Sequence, residues 1–230
     1  MGRVVDFQQA VVLKCYYGKE ISDTLVSLEA YDLTNNKWIN IPKSDCEFGY
    51  RTSRFKSKDK NKFLISSITL HVTNQAPLPP FYPALVTYFE QKSIKEFTPQ
   101  NIRNAVVEIR KSKLPDISKI ANNGSFFTNP VVTKDKFNDV REKYPEVTFW
   151  DEPNGNVKLS AAYLIEQVGF KNYHDEETGM ATWQNQPLIF VNEHARSTDD
   201  LLKFKKKVVD KVSSVFGITL EQEPEIISYE

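Results

Sequence analysis

Residues 24–41 read Thr24-Leu25-Val26-Ser27-Leu28-Glu29-Ala30-Tyr31-Asp32-Leu33-Thr34-Asn35-Asn36-Lys37-Trp38-Ile39-Asn40-Ile41. Val26, Leu28 and Ala30 alternate with Ser27, Glu29 and Tyr31, the two-residue period of a half-buried strand. Thr34-Asn35-Asn36-Lys37 has the composition of a turn, and Trp38, Ile39 and Ile41 resume the extended pattern. The stretch therefore predicts a hairpin and an antiparallel sheet. Working outward, Phe63 to Val72 predicts a further strand with Leu64, Ile68, Leu70 and Val72 on one parity. Gln75-Ala76-Pro77-Leu78-Pro79-Pro80 cannot be regular structure, because proline removes donors and restricts its predecessor. It predicts a loop that carries Tyr82 and Tyr88 out of the sheet.

Helices dominate the rest of the chain. Thr98 can cap a helix with Pro99 in its first turn and Ile102, Ala105, Val106 and Ile109 at helical spacing, ending near Leu114-Pro115. Thr133 can cap a second, with Phe137, Val140 and Tyr144 on one face and Pro145 as its stop. Ser160 to Gly169 predicts a third, with Gly169 at the left-handed C-terminal position. Pro187 to Val191 reads as a buried strand. Ser197 and Asp200 resemble a capping box opening the longest helix, whose face is Leu201, Phe204, Val208, Val212 and Val215 and whose end is Gly217. The run Lys203-Phe204-Lys205-Lys206-Lys207 reads as a solvated helix face. A last strand is expected from Ile218 to Tyr229. Early strands, later helices and returning strands make the fold class α+β rather than a doubly wound parallel sheet.

The 230 residues weigh 26.5 kDa, with 40% hydrophobic and 26% charged residues, so neither disorder nor a fibrous repeat is expected. Thirty basic residues oppose thirty acidic ones, and the pI is near 6.9, which predicts neither nucleic-acid nor membrane-surface binding. Mean hydropathy is −0.46. No apolar run approaches the roughly 18 residues of a membrane span, and the start, Met1 to Asp6, lacks the apolar core of a signal peptide. A cytoplasmic protein is the expectation. Cys15 and Cys46, with His71, His174 and His194, match no metal-ligand spacing, so no metal is expected. Gly-x-Ser-x-Gly is absent, which argues against a serine hydrolase.

Four stretches exceed what fold alone requires. Cys46-Glu47-Phe48-Gly49-Tyr50-Arg51-Thr52-Ser53 is a glycine turn presenting an arginine. Lys111-Ser112-Lys113-Leu114-Pro115-Asp116 is a basic helix end whose cations complement the helix dipole. Asn122-Asn123-Gly124-Ser125-Phe126-Phe127-Thr128-Asn129-Pro130 delivers one hydroxyl between aromatic residues. Leu220-Glu221-Gln222-Glu223-Pro224-Glu225-Ile226 is acidic and otherwise simply solvated. Each alone has an ordinary structural explanation.

Together and in this order, Tyr50-Arg51, Lys113-Leu114-Pro115, Gly124-Ser125-Phe126-Phe127-x-Asn129-Pro130-Val131-Val132 and Pro224-Glu225 resemble the UDP-N-acetylenolpyruvoylglucosamine reductase (MurB) family. Val157 to Gln167 is similar to a helix of that family, and Leu188 to Asn192 with the capped helix after it is similar as well. The resemblance runs from about Gly18 to about Ile226. It implies a flavoenzyme of peptidoglycan precursor synthesis that uses NADPH and FAD to reduce an enolpyruvyl ether on a UDP-sugar. It implies Arg51, Ser125 and Glu225 as catalytic residues: Arg51 for the substrate carboxylate, Ser125 as proton donor, Glu225 beside the developing enolate. It further implies Tyr50, Tyr88, Lys113, Asn129 and Gln186 as substrate-binding residues, with Tyr82 a rival to Tyr88 as a flap tyrosine. The resemblance divides the chain into a remnant of the flavin-binding domain (1–110), a substrate-binding domain (111–217) and a returning strand (218–230). The family's glycine-rich flavin segments are not matched before Gly18. The expectation is therefore that most of the FAD site lies outside this chain, in a separate flavin-binding chain if not in a longer one. The alternative is a non-catalytic relative that binds a UDP-sugar or such a partner.

Overall fold

The computed structural model describes residues 21–73 and 79–226. Cys15, Gly18, most of the proline-rich stretch (Gln75 to Leu78) and Ile227 to Tyr229 of the expected last strand lie outside the described residues. The chain divides into two compact units, Met1–Val107 and Glu108–Glu230.

In the first unit, a one-turn helix α1 (Ile21–Thr24) leads into β1 (Leu25–Asp32), which pairs antiparallel with β2 (Lys37–Pro42) and with β3 (Phe63–Leu70) in the order β2-β1-β3. Asp32 fixes the turn: its carboxylate accepts the amides of Thr34 and Asn35 and the side-chain amide of Asn35. Those bonds hold the acid below the usual carboxylate range. The hairpin is where the alternation places it, with Leu28 and Ala30 buried as it implies, but the parity fails at Val26 and along β3. Register shifts lie between Leu25 and Ser27 and between Glu29 and Ala30. Each is a bulge, and a bulge reverses which side chains face the core. Val26 is therefore 49% exposed while Leu25, Leu28 and Ala30 are buried. On β3, Leu64 is 59% exposed and Phe63 and Ile65 are buried, the reverse of the parity that the periodicity predicts. Ile41, Cys46 and Phe55 complete this core.

Helix α2 (Pro83–Gln91) corrects a second expectation. Tyr88 lies more than a turn inside it rather than on a loop, because Pro83 occupies the first helical turn and restarts regular structure at once. Leu85 and Phe89 are buried, and Phe81, Phe89 and Phe97 form a cluster with centroids 4.9–5.8 Å apart. Helix α3 (Pro99–Lys113) starts on Thr98, whose hydroxyl accepts the Asn101 amide at 3.2 Å.

The second unit holds a four-stranded antiparallel sheet in the order β4-β10-β9-β8: β4 (Ala121–Ser125), β10 (Gln186–Asn192), β9 (Met180–Trp183) and β8 (His174–Asp175). A smaller sheet has the order β5-β7-β6: β5 (Val131–Val132), β7 (Val157–Leu159) and β6 (Phe149–Asp151). The helices are α4 (Lys134–Lys143), α5 (Ala161–Gln167) and α6 (Thr198–Phe216). All three caps form: Thr133 and Ser160 each accept an amide three residues on, and Ser197 and Asp200 make a reciprocal capping box. Phe126, Phe127, Phe190, Phe204, Leu164 and Val208 lie in the core, with Phe126 stacked on Phe190 at 4.6 Å. Burying each such side chain stabilises the fold by about 1.5–3 kcal/mol. On α6 the buried stripe ends at Phe216, not at Val215, which is 43% exposed.

Two further expectations change. Lys207 is not merely solvated: its Nζ reaches Asp175 at 2.8 and 2.9 Å and Glu177 at 2.6 Å. Among the described residues the segment after Gly217 is no continuous strand: Ile218 and Leu220 enter the core, Gln222 makes an isolated bridge with Phe127, and Pro224 has no amide to extend the ladder.

Candidate functional site

Tyr50 and Arg51 are the two central residues of a tight turn. Gly49 and Thr52 close it by exchanging backbone bonds of 3.0 and 3.2 Å. Arg51 has φ 56°, a left-handed conformation that costs a residue with a β-carbon about 1–2 kcal/mol. Its guanidinium lies 5.8 Å from the centre of the Tyr50 ring. Tyr88 is half-buried on α2, its ring 6.3 Å from that of Phe89, and Tyr82 at the helix N-cap is 47% exposed. These four residues belong to the first unit.

The remaining five belong to the second. Ser125 closes β4, half-buried, opposite Ile189. The pairs Ile189–Ser125 and Val191–Asn122 leave one extra residue on β4, and Gly124 at φ 70° supplies the bulge. Asn122 stabilises it by accepting the Gly124 amide at 3.1 Å. Ser125, the residue after the bulge, is half-buried, and the two phenylalanines that follow it are buried. The chain end then returns beside this strip. Thr128 donates to Glu221 at 2.9 Å and Glu223 donates to Phe126 at 2.8 Å, flanking the Phe127–Gln222 bridge. The pairing is seen as far as Glu223 opposite Phe126, the latter one residue after Ser125 and the former two before Glu225.

Asn129 has a structural task. Its Oδ1 accepts the Ala161 amide at 3.0 Å, at the first residue of α5, while Ser160 accepts the Tyr163 amide. Two of the helix's orphan donors are satisfied this way.

Lys113, exposed, is the last residue of α3, and Gln186, half-buried, opens β10 opposite Trp183. Asn185 in the connecting turn donates to the Ser112 carbonyl at 3.0 Å, which fastens the turn to the helix end and brings Lys113 and Gln186 into one neighbourhood. Sequence reasoning missed Asn185, the bulge at Gly124 and the cap made by Asn129. The Asn-Asn-Gly triplet was the available signal for the bulge, since asparagine and glycine tolerate left-handed backbone.

Cys46 is buried, and burial pushes its thiol up to about 11, which makes it a core residue rather than a nucleophile. Among the described residues no group of three or more His, Cys, Asp or Glu converges to hold a metal, and no helix is long and apolar enough to cross a membrane.

Residues 116–227 match the family model described as UDP-N-acetylenolpyruvoylglucosamine reductase, C-terminal domain. The UDP-N-acetylenolpyruvoylglucosamine reductase of Flavobacterium johnsoniae is 35% identical over 212 residues, covering 92% of this chain and 62% of the relative. That of Alcanivorax borkumensis is 34% identical over 211 residues, covering 92% and 60%. The chain thus spans about three fifths of the length of the curated relatives it matches. The crystal structure of the Thermus caldophilus UDP-N-acetylenolpyruvylglucosamine reductase (MurB) superposes with a TM-score of 0.54 at 16% identity, covering 94% of this chain and 59% of that one; at this identity the likeness is one of fold.

Proposed function

We propose a role in reducing a UDP-sugar enolpyruvyl ether, on the premise that the chain belongs to the UDP-N-acetylenolpyruvoylglucosamine reductase family. The product would be UDP-N-acetylmuramate, a peptidoglycan precursor, with NADPH and FAD as the source of reducing equivalents. Reduction of the alkene adds hydride to one carbon and a proton to the other. Arg51 would hold the carboxylate, where a cation binds the enolate-like transition state more tightly than the ground state. Ser125 would supply the proton, with Glu225 beside it. Lys113 would meet the pyrophosphate as a point charge, and Asn129 and Gln186 would bond sugar or phosphate oxygens; Tyr50 and Tyr88 are further substrate-binding residues implied by the resemblance.

The observation that supports this reading most is the return of residues 221–223 beside the Phe126–Thr128 strip, through the Phe127–Gln222 bridge and its flanking backbone bonds, since Ser125 immediately precedes that strip and Glu225 follows those residues. The described residues lack the glycine-rich backbone that a flavin would call for. Their six glycines, at 49, 124, 155, 169, 179 and 217, are dispersed, whereas a flavin pyrophosphate calls for several close backbone amides. FAD is accordingly assigned to polypeptide beyond the described residues, in cis or in a partner. The same dispersion favours the second reading, a relative that binds a UDP-sugar without redox activity of its own.

The deciding experiment is calorimetric titration with the enolpyruvyl UDP-sugar. Lys113→Ala should weaken binding by about 1.5–3 kcal/mol through loss of a charge-assisted bond. A lysine that only complements the helix dipole would leave affinity unchanged. An assay supplied with a flavin-binding domain, FAD and NADPH then separates the two readings, since only the first gives turnover.

A further inference from the structure

The turn that presents Arg51 is held at its base by charged groups outside the family motif. Arg54 donates its backbone amide to the Cys46 carbonyl at 3.0 Å, closing a nine-residue excursion whose tip is Gly49-Tyr50-Arg51-Thr52. The Arg54 side chain then reaches both ways. Its Nη1 donates to the Asp45 carbonyl at 3.1 Å, and its Nε donates to Asp59 Oδ2 at 2.6 Å. The guanidinium also lies 5.5 Å from the centre of the Phe63 ring. Asp59 is 8% exposed, and its second oxygen accepts from Lys62 at 2.9 Å. An outer clasp pairs Lys58 with Glu47, itself left-handed at φ 51°. Cys46, Ser53 and Phe55 root the neck in the core, at 0%, 1% and 2% exposure.

A left-handed arginine persists only where its surroundings over-determine the backbone. The Gly49–Thr52 bonds alone would let the tip relax as a unit. We propose that the Arg54–Asp59 pair is the positioning device of Arg51, and that it sets how tightly this chain grips a carboxylate-bearing ligand. The ligand part rests on the function proposed above; the positioning part does not. Neither Arg54 nor Asp59 is a catalytic residue, since each acts only through the loop it anchors. The choice of arginine at 54 follows from geometry. A planar fork serves Asp59 and the Asp45 carbonyl at once, which a lysine point charge cannot do. The Lys62 bond and the Arg54 bond outweigh burial and hold Asp59 below the usual carboxylate range, so the clamp stays charged at neutral pH.

The test uses the whole chain with Asp59→Asn and, should that variant fold poorly, Arg54→Lys. Two readouts are taken well below each variant's melting temperature. The first is tryptic cleavage of the Arg51–Thr52 bond, followed by mass spectrometry. Cleavage there should rise severalfold in either variant while other exposed sites keep their rates. The second is calorimetry with two probes, UDP and the enolpyruvyl UDP-sugar. Affinity for the carboxylate-bearing probe should fall about tenfold, affinity for UDP should hold, and the Asp59→Asn effect should vanish in an Arg51→Ala background. Unchanged cleavage at Arg51–Thr52 would overturn the positioning role, and an equal loss for both probes would overturn the link to Arg51. If the wild-type chain binds neither probe, it is the proposed function that fails, and proteolysis alone decides the clamp.

Discussion

Asn129 offers the sharpest separation between folding and ligand binding, because its Oδ1 caps a helix while the proposed function gives its Nδ2 to the ligand. Oδ1 accepts the Ala161 amide at 3.0 Å in a part-buried setting, so the side chain serves as a second cap on α5. Asn129→Ala removes that acceptor and should cost about 0.5–2 kcal/mol of stability, the usual range for a lost cap. Asn129→Asp keeps an acceptor in the same place. A carboxylate near a helix N-terminus gains about 0.3–1 kcal/mol from the local dipole, which offsets the cost of partly burying the charge. The aspartate variant should therefore be as stable as wild type to within about 0.5 kcal/mol. Ligand affinity should behave in the opposite sense. Aspartate lacks the Nδ2 donor and would set a negative charge toward a pyrophosphate. Loss of a hydrogen bond to a charged group, about 1.5–3 kcal/mol, corresponds to roughly a tenfold to hundredfold weaker UDP complex.

Urea unfolding and UDP titration of the same two variants check this. Alanine should fail both assays and aspartate only the second. An aspartate variant as unstable as alanine would refute the cap. One that binds UDP as tightly as wild type would refute the ligand-facing amide.

Gly179 has φ 70°, and an added β-carbon would stand 2.6 Å from the Ala195 amide nitrogen and 2.7 Å from the His194 carbonyl carbon. Gly179→Ala should cost about 2–4 kcal/mol, combining left-handed strain with overpacking against backbone, as read by denaturant unfolding. Burial raises the Asp175 pKa, but bonds from Lys207 and Thr178 outweigh it and leave the carboxyl low. A group depressed in the folded state contributes stability above its unfolded pKa of about 3.9 and loses it as pH falls through the folded value. Lys207→Met should therefore destabilise the protein at pH 7 and flatten the acid side of its pH–stability curve, measured by thermal melts from pH 7 to pH 3. FAD should bind the isolated chain more weakly than about 1 μM, and a tighter complex by fluorescence titration would mean that the described glycines are not the relevant ones. With a flavin domain supplied, Ser125→Ala should slow reduction of the enolpyruvyl substrate by roughly 10²–10⁴-fold, the range for a lost general acid, while leaving flavin reduction by NADPH nearly untouched in stopped-flow traces.

What could be read from the sequence divides along a physical line. Caps are local chemistry, and Thr98, Thr133, Ser160 and Ser197 each accept the amide three residues on, as their residue types imply. The parity of β1 was legible at Leu28 and Ala30 but not at Val26, and that of β3 was not legible, since one unpaired residue on either strand shifts the alternation across it. Strands β4 to β9 escaped detection because they are short and partly polar; Ala121-Asn122-Asn123-Gly124-Ser125 has the composition of a turn. At the site, the Gly-Ser-Phe-Phe-x-Asn-Pro string marked Ser125 and Asn129 without revealing that Asn129 also caps a helix. Arg54 and Asp59 sit in a loop rich in lysine, where no period separates a buried pair from solvated charge.

The two groups proposed to meet the reacting end of the substrate stand where the backbone departs from its regular pattern. Arg51 is a non-glycine residue at φ 56°, and Ser125 follows a bulge that needs Gly124 at φ 70°. A regular turn would place glycine or asparagine at position 51, and a regular β4 would leave Ser125 in strict alternation with its buried neighbours. Arg51→Gly separates strain from chance. Relief of the left-handed conformation, about 1–2 kcal/mol, exceeds or balances the roughly 0.5–1 kcal/mol that glycine loses through unfolded-chain entropy. The variant should therefore be at least as stable as wild type while losing the carboxylate-bearing ligand. A protein that retains a less stable residue at that position holds it for what the side chain does. A clear loss of stability in thermal melts of Arg51→Gly would show instead that the arginine is there for the fold.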